Sequence, residues 1–177
     1  MQLLTISGSL RAASTNTAAL DALKRLAPAE VEIVLYRDLG ALPYFNPDDD
    51  DGTPPLAAAA LRALVGSSAG LILAMPEYAH GVPGAFKNAL DWLVASDVFP
   101  GKPVALVNTA PRAFHAQSAL RETLATMSAR LIPEAFVALP LTGKTIDADS
   151  ILADKNLADA LRRALDSFVK AIRGDGG

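Results

Sequence analysis

The chain has 177 residues, 51% of them hydrophobic and 20% charged, with a formal net charge of −3. That size suits one domain over residues 1–177, with enough apolar material for a full core. The mild acidity and the lack of any basic run argue against a nucleic-acid partner held through its phosphates. No cysteine is present, which excludes disulfides, thiolate catalysis and cysteine-ligated metals. Two histidines, His80 and His115, offer too little for a histidine-rich metal site, so no metal is expected. The opening Met1-Gln2-Leu3-Leu4-Thr5-Ile6 lacks a basic region and a long apolar run, and no stretch reaches the roughly 20 residues of a membrane span. The cytoplasm is the expected location.

Strand and helix patterns alternate along the whole chain. Met1 to Ser7 reads as a first strand. Thr17 to Leu26 reads as a helix, with Leu20, Leu23 and Leu26 on one face and Pro28 closing it. Val31 to Leu35 is the second strand. An irregular stretch from Arg37 to Pro55 follows, then a helix from about Leu56 to Val65. Ala69 to Met75 is an apolar third strand, and a helix covers about Pro83 to Ala95. Pro103 to Asn108 is the fourth strand, followed by a helix over about Ala116 to Ala129. A short fifth strand lies near Ile132 to Ala138. A last helix runs from about Ser150 to Arg173, with Leu157, Leu161, Leu165, Phe168 and Ile172 in one stripe. The tail Gly174 to Gly177 is expected to fray.

Strands apolar on both faces belong in a parallel sheet covered by helices on each side. Five strands with intervening helices therefore predict a doubly wound α/β domain, with the common strand order 2-1-3-4-5. In that order the winding reverses between strands one and three. Ligands bind in the crevice at the carboxyl ends of those two strands.

The turn after strand one is Gly8-Ser9-Leu10-Arg11-Ala12-Ala13-Ser14-Thr15-Asn16. A strand-to-helix turn aims backbone N–H groups and the positive end of the helix dipole at one place. Ser9, Ser14, Thr15 and Asn16 add side-chain donors, and Arg11 adds a permanent forked cation. Helix capping requires one such residue, so this cluster points to a phosphate monoester. Neither the Gly-Lys-Ser/Thr ending of a P-loop nor the Gly-x-Gly-x-x-Gly fingerprint is present, which argues against a nucleoside triphosphate.

The loop after strand three opens Met75-Pro76-Glu77-Tyr78-Ala79-His80-Gly81-Val82-Pro83-Gly84. Its prolines and glycines define an unusual path. Tyr78 is placed there to meet a flat ligand with its ring, the alternative being a cover over the core. His80 reads equally as a ligand contact or a solvated residue. The loop after strand four, Asn108-Thr109-Ala110-Pro111-Arg112, borders the same crevice, where Asn108, Thr109 and Arg112 can donate to a ligand. His115 reads equally well as a first-turn helix residue. The tract Asp48-Asp49-Asp50-Asp51-Gly52 fails the calcium-loop spacing, with Asp51 where a glycine belongs and Ala57 where a glutamate belongs, and is expected to be a solvated loop.

Gly8-Ser9-Leu10-Arg11-x-x-Ser14-x-Asn16, followed by Pro76-Glu77-Tyr78-x-x-x-x-Pro83-Gly84-x-x-Lys87-Asn88-Ala89-Leu90-Asp91-Trp92, resembles the NAD(P)H-dependent FMN reductase family. This family has a flavodoxin-like fold and includes quinone, azo and chromate reductases. The resemblance covers nearly the whole chain. It implies a tightly bound FMN reduced by NADPH or NADH and reoxidised by a small-molecule acceptor. Ser9, Arg11, Ser14 and Asn16 match the family's phosphate-holding positions. Pro76, Glu77 and Tyr78 match the loop along the ring and ribityl chain, with Ala79 and His80 beside them. Lys87, Asn88, Asp91 and Trp92 match a helix used for packing and subunit contact, and the resemblance implies a homodimer or homotetramer. Ala79 and Gly81 stand where relatives commonly carry Asn and Ser, and the 111–115 loop lacks the glycines relatives often have. Hydride chemistry in such proteins is carried by the flavin, so no side chain is assigned as catalytic. A flavodoxin-type electron carrier and a non-catalytic flavin-binding sensor are the other functions compatible with these residues.

Overall fold

A computed structural model of the chain describes residues 1–112, 114–141 and 146–174. Six strands form one parallel sheet: β1 (Gln2–Ser7), β2 (Glu32–Tyr36), β3 (Gly70–Ala74), β4 (Pro103–Asn108), β5 (Arg130–Leu131) and β6 (Val137–Ala138). Their order is β2-β1-β3-β4-β5, with β6 also paired to β4. The helices are α1 (Thr15–Leu26), α2 (Leu56–Ser67), α3 (Gly84–Val94), α4 (Phe114–Thr126), α5 (Ala148–Ala153) and α6 (Lys155–Gly174). This is the expected flavodoxin-like, doubly wound order.

The central strands bury both faces, and the period of two along each strand divides the core in two. Leu4, Ile6, Leu71, Leu73, Val104 and Leu106 face α2, α3 and α4. Leu3, Ile72, Ala74, Ala105 and Val107 face α1, α5 and α6. Trp92, Phe86 and Phe99 fill the first core, and Phe168 the second.

Two boundaries depart from the sequence expectation. The fifth strand is split by a 3-10 turn at Pro133–Ala135 into β5, which pairs with Pro103–Val104, and β6, which pairs with Val107–Asn108. Pro133 has no N–H to give to the β4 ladder, so regular pairing stops there. The last helix is split at Asp154, whose carboxylate accepts from the N–H of Asn156 (2.9 Å) and Leu157 (3.2 Å) and so caps a new helix instead of continuing the old one. Asp147 caps α5 in the same way, accepting from the Ser150 N–H at 2.8 Å. The tail begins later than expected, because Gly174 still belongs to α6; residues 175–177 lie outside the described residues. No helix among the described residues is long and apolar enough to cross a membrane.

The acidic tract is only in part the solvated loop that was expected. Arg62 of α2 forms a two-pronged ion pair with Asp50 (2.7 Å for each prong) and also donates to the Trp92 carbonyl at 2.7 and 3.0 Å. It thereby ties this loop to the end of α3. The preceding segment is tied down as well: the Phe45 N–H donates to Asn88, while Asn88 and the Trp92 indole both donate to the Pro43 carbonyl at 2.9 Å. The hydrogen bond from Arg62, together with its charge, holds the Asp50 carboxyl below the usual carboxylate range. A folded-state value below the unfolded one, about 3.9 for Asp, stabilises fully above that pH and loses its contribution as pH falls through the lower folded value. Asp50→Asn is therefore expected to lower the melting temperature at pH 7, and the gap to wild type should narrow as pH falls below the unfolded value of about 3.9 and the carboxylate protonates. A gap that stays constant throughout that acid range would contradict an ionic origin.

Candidate functional site

The crevice forms where the winding reverses. β1 lies beside β3, and the pairing extends past the end of β1 because the Gly8 N–H donates to the carbonyl of Ala74, the last residue of β3, at 2.7 Å. A Cβ on Gly8 would stand 2.7 Å from Met75 Cβ and 3.1 Å from the Phe86 ring, so glycine is required for this close approach. The polar turn is thus pressed against the start of the β3–α3 loop.

Within that turn the hydroxyls are ordered by one another. Ser14 is the N-cap of α1 and accepts from the Thr17 N–H at 3.3 Å. Ser7 Oγ accepts from the Thr17 hydroxyl (2.9 Å) and the Ser9 N–H (3.3 Å), and Ser9 Oγ accepts from the Arg11 N–H (3.4 Å). Thr15 and Asn16 lie in the first turn of α1 instead of ahead of it. Both reach Thr109 at the end of β4: the Thr109 hydroxyl donates to Asn16 Oδ1 at 3.0 Å and stands 3.3 Å from Thr15 Oγ1. With its oxygen committed in this way, Asn16 has its amide N–H group left to donate. The first turn of α1 carries no acidic side chain, so nothing offsets the positive end of its dipole.

Ser9, Arg11, Ser14, Thr15, Asn16, Pro76 and Tyr78 line one pocket of about 180 Å³. Seven residues expected at the site from two separate loops are therefore brought together. Ile146, from the segment before α5, and Ala13 complete the lining and had no signal in the sequence. Hydroxyls, helix N–H groups, a guanidinium and a half-exposed tyrosine ring are a donor set whose chemistry fits a flavin mononucleotide.

The other expected residues lie around this pocket, not in its lining. The Glu77 carboxylate accepts from the Ala116 N–H at 2.8 Å and so caps the amino end of α4. Ala79 (φ 49°) and His80 (φ 59°) both occupy the left-handed region, forming a two-residue hairpin turn between Tyr78 and Gly81, whose N–H and C=O groups pair in both directions. Strained positions of this kind concentrate at ligand-binding loops. The His80 ring stacks on His115, with centroids 4.3 Å apart and planes 12° from parallel. The β3–α3 loop is consequently clasped to α4 by two unrelated contacts. Asn108 spends its side-chain oxygen on the Ala110 N–H at 2.9 Å, and Thr109 is buried. Arg112 is exposed at the crevice margin. Sequence reading missed Ser7, which orders the turn, and the clasp, because neither a strand-end serine nor a pair of distant histidines carries a local signature.

A flavodoxin-like sheet with a phosphate-type pocket at the reversal of its winding defines the class of protein. Comparison with known proteins narrows it: the family model described as NADPH-dependent FMN reductase matches residues 1–143, and the chain belongs to that family of oxidoreductases. It is 32% identical to an NAD(P)H-dependent FMN reductase of Pseudomonas aeruginosa over 98% of each chain. It is 30% identical to a 2-hydroxy-1,4-benzoquinone reductase of a Burkholderia species, covering 98% of this chain and 97% of that one. Among solved structures it is similar to FerB, a flavoenzyme NAD(P)H:(acceptor) oxidoreductase of Paracoccus denitrificans. That likeness has a TM-score of 0.78 and 28% identity, covering 98% of this chain and 97% of that one.

Thr109→Val keeps the shape of this side chain and removes the hydroxyl between Asn16 and Thr15. It is expected to cost about 1–3 kcal/mol of stability, because a buried polar partner loses its bond. Chemical denaturation of the flavin-free protein reads this directly, and a midpoint equal to wild type would show that the Asn16–Thr109 bond contributes nothing.

Proposed function

We propose that this protein is an FMN-dependent oxidoreductase that passes hydride from NAD(P)H through bound FMN to a quinone, a free flavin or another small acceptor. The observation that carries the reading is the single pocket uniting Ser9, Arg11, Ser14, Thr15 and Asn16 with Pro76 and Tyr78 at the reversal of the sheet. When bound, FMN supplies the hydride-accepting and hydride-donating chemistry. The chain's own residues bind and orient. Arg11 and the N–H groups of the first turn of α1 neutralise the phosphate, and the hydroxyls of Ser9 and Thr15 and the Asn16 amide set its direction. Tyr78 offers a ring at the pocket edge, while Glu77 and the His80–His115 stack hold the loop that carries it. Asn108 and Thr109 order the loop after β4 through Ala110 and Asn16, and Arg112 is an exposed cation for a nicotinamide cofactor or an acceptor.

The named relatives support this reading, since they include FMN reductases and quinone reductases. A net charge of −3 is mild for the alternative of a flavodoxin-type carrier, and a sensor would bind FMN without turnover. We further propose a homodimer or homotetramer working in the cytoplasm. Tyr44 and Leu56, 91% and 90% exposed, are apolar side chains available for such a contact.

The absorbance spectrum of the purified protein, repeated after anaerobic NADPH, tests the function. Flavin bands that bleach and then return with a quinone are expected. Bands that persist with NADPH and NADH would favour the carrier or sensor, and no band even after added FMN would overturn the reading. Arg11→Ala is expected to weaken FMN binding by tens- to hundredsfold, since each charge-assisted phosphate bond contributes about 1.5–3 kcal/mol. FMN retention equal to wild type would remove Arg11 from the site.

A further inference from the structure

The hairpin after β3 and the amino end of α4 meet through the two histidines of the chain. The His80 and His115 rings lie 4.3 Å apart and within 12° of parallel, and the Phe114 ring lies 4.0 Å from His115. His80 follows Ala79 as the second of two consecutive non-glycine residues with positive φ. Such a conformation persists only where the surrounding contacts over-determine it. Immediately before this pair stands Tyr78, which lines the pocket with Ser9 and Arg11. The stack therefore acts on the pocket through one short hairpin, while neither histidine belongs to the pocket lining.

Both rings are exposed, so protons reach them without any opening of the fold. Imidazole is the side chain that changes charge at about pH 6.5. The charged and titratable groups around the pair come from three elements. On the hairpin loop, the Glu77 carboxylate accepts from the Ala116 N–H, next to His115, at 2.8 Å, and the Tyr78 phenol lies two residues before His80. Arg112 stands three residues before His115 in the loop that leads into α4, and Arg11 of the β1–α1 turn shares the pocket lining with Tyr78. Along α4 the positions one turn beyond His115, Ser118 and Ala119, carry no charge, and the first turn has no acidic residue. A first proton on the pair is thus answered by Glu77. A second meets a like charge 4.3 Å away, together with Arg112 and the positive end of the α4 dipole. Titration coupled in this way belongs to the pair and not to either ring.

We propose that the His80–His115 stack is a proton-operated clasp on the loop that carries Tyr78. With at most one proton on the pair, it holds the hairpin against α4. With two, the rings part, the turn at Ala79 and His80 relaxes, and Tyr78 leaves the pocket edge, so the flavin is held less tightly in acid. The bond between Glu77 and Ala116 stays and serves as the hinge. This regulation rests on the reading that the pocket takes FMN. Two unit charges at this separation, screened by water, disfavour the closed clasp by about fivefold. His115 is in these terms a positioning residue, acting on the pocket through His80.

The test uses the untagged full chain as wild type and as His115→Phe, which keeps a flat ring for the stack and removes its proton. Flavin-free protein is titrated with FMN by fluorescence quenching at about pH 8 and about pH 5.5, on either side of the imidazole range. The FMN phosphate takes up a proton in the same range, but it does so alike in both proteins. The quantity read is therefore the acid-to-alkaline ratio of dissociation constants, which is expected to be about fivefold larger in wild type than in His115→Phe. Ring-proton resonances of the two histidines, followed with pH in flavin-free wild type, give a second readout that needs no variant. They are expected to move in two steps, each felt by both rings. Equal ratios in the two proteins, or two rings that titrate independently in one step each, overturn the inference and leave the FMN reading standing. Failure of wild type to bind FMN even at the alkaline pH overturns the parent reading, and this one with it.

Discussion

The close approach of backbone at Gly8 is the constraint on which the site depends. β1 and β3 run side by side, and the bond from the Gly8 N–H to the Ala74 carbonyl continues their ladder one residue past the end of β1. With Met75 Cβ 2.7 Å from where a Cβ would sit, the chain leaves the sheet at Gly8 without a side chain in the way. That exit angle sends Ser9 to Asn16 over the carboxyl edge and against Pro76 and Tyr78. Moving the turn outward would separate the phosphate-type donors from the loop that carries the aromatic ring. The pocket is thus a consequence of how two parallel strands end, and the side chains that line it contribute chemistry, not position.

Around this constraint the loops are stabilised by polar groups that satisfy one another. Ser14 caps α1, Glu77 caps α4, and Thr109 bridges the end of β4 to the first turn of α1. Each of these bonds answers a backbone or amide group that would otherwise be unpaired at a helix end or in the interior. They also couple the three loops of the crevice in a ring: the first to the third through Asn16 and Thr109, the second to the third through Glu77 and Ala116. The His80–His115 stack adds a second link to the latter pair. Further from the crevice, Arg62 does the same for the long segment before α2, fastening Asp50 to the Trp92 carbonyl.

The family relationship and the geometry support each other without being interchangeable. The match to the NADPH-dependent FMN reductase model covers residues 1–143, which include all three crevice loops as described. The departures from the family motif fall at Ala79, Gly81 and the 111–115 loop. The first two occupy the tight hairpin after Tyr78, and the third leads into α4.

Much of this was legible in the sequence. Apolar strands alternating with amphipathic helices specify a covered parallel sheet, because only that arrangement buries both faces of such strands. The order of elements then places the crevice, and the donors from Ser9 to Asn16 stand together in the lining of its pocket. What tertiary structure decided is which of those groups point at a ligand and which at each other. Glu77, Asn108 and Thr109 look like ligand contacts in the chain, yet their polar atoms answer Ala116, Ala110 and Asn16, partners that only packing brings within reach. The same holds for the split of the last helix at Asp154 and of the fifth strand at Pro133. There a side-chain carboxylate and a missing N–H override a periodic pattern that local propensity alone would continue. The orphaned hydroxyl of Tyr36 had no sequence signal at all, because a tyrosine at the end of an apolar strand is ordinary until the fold buries its hydroxyl without a partner. Periodicity is a property of one segment and survives in the sequence. Hydrogen-bond partnership belongs to pairs that lie dozens of residues apart, and the folded chain settles it.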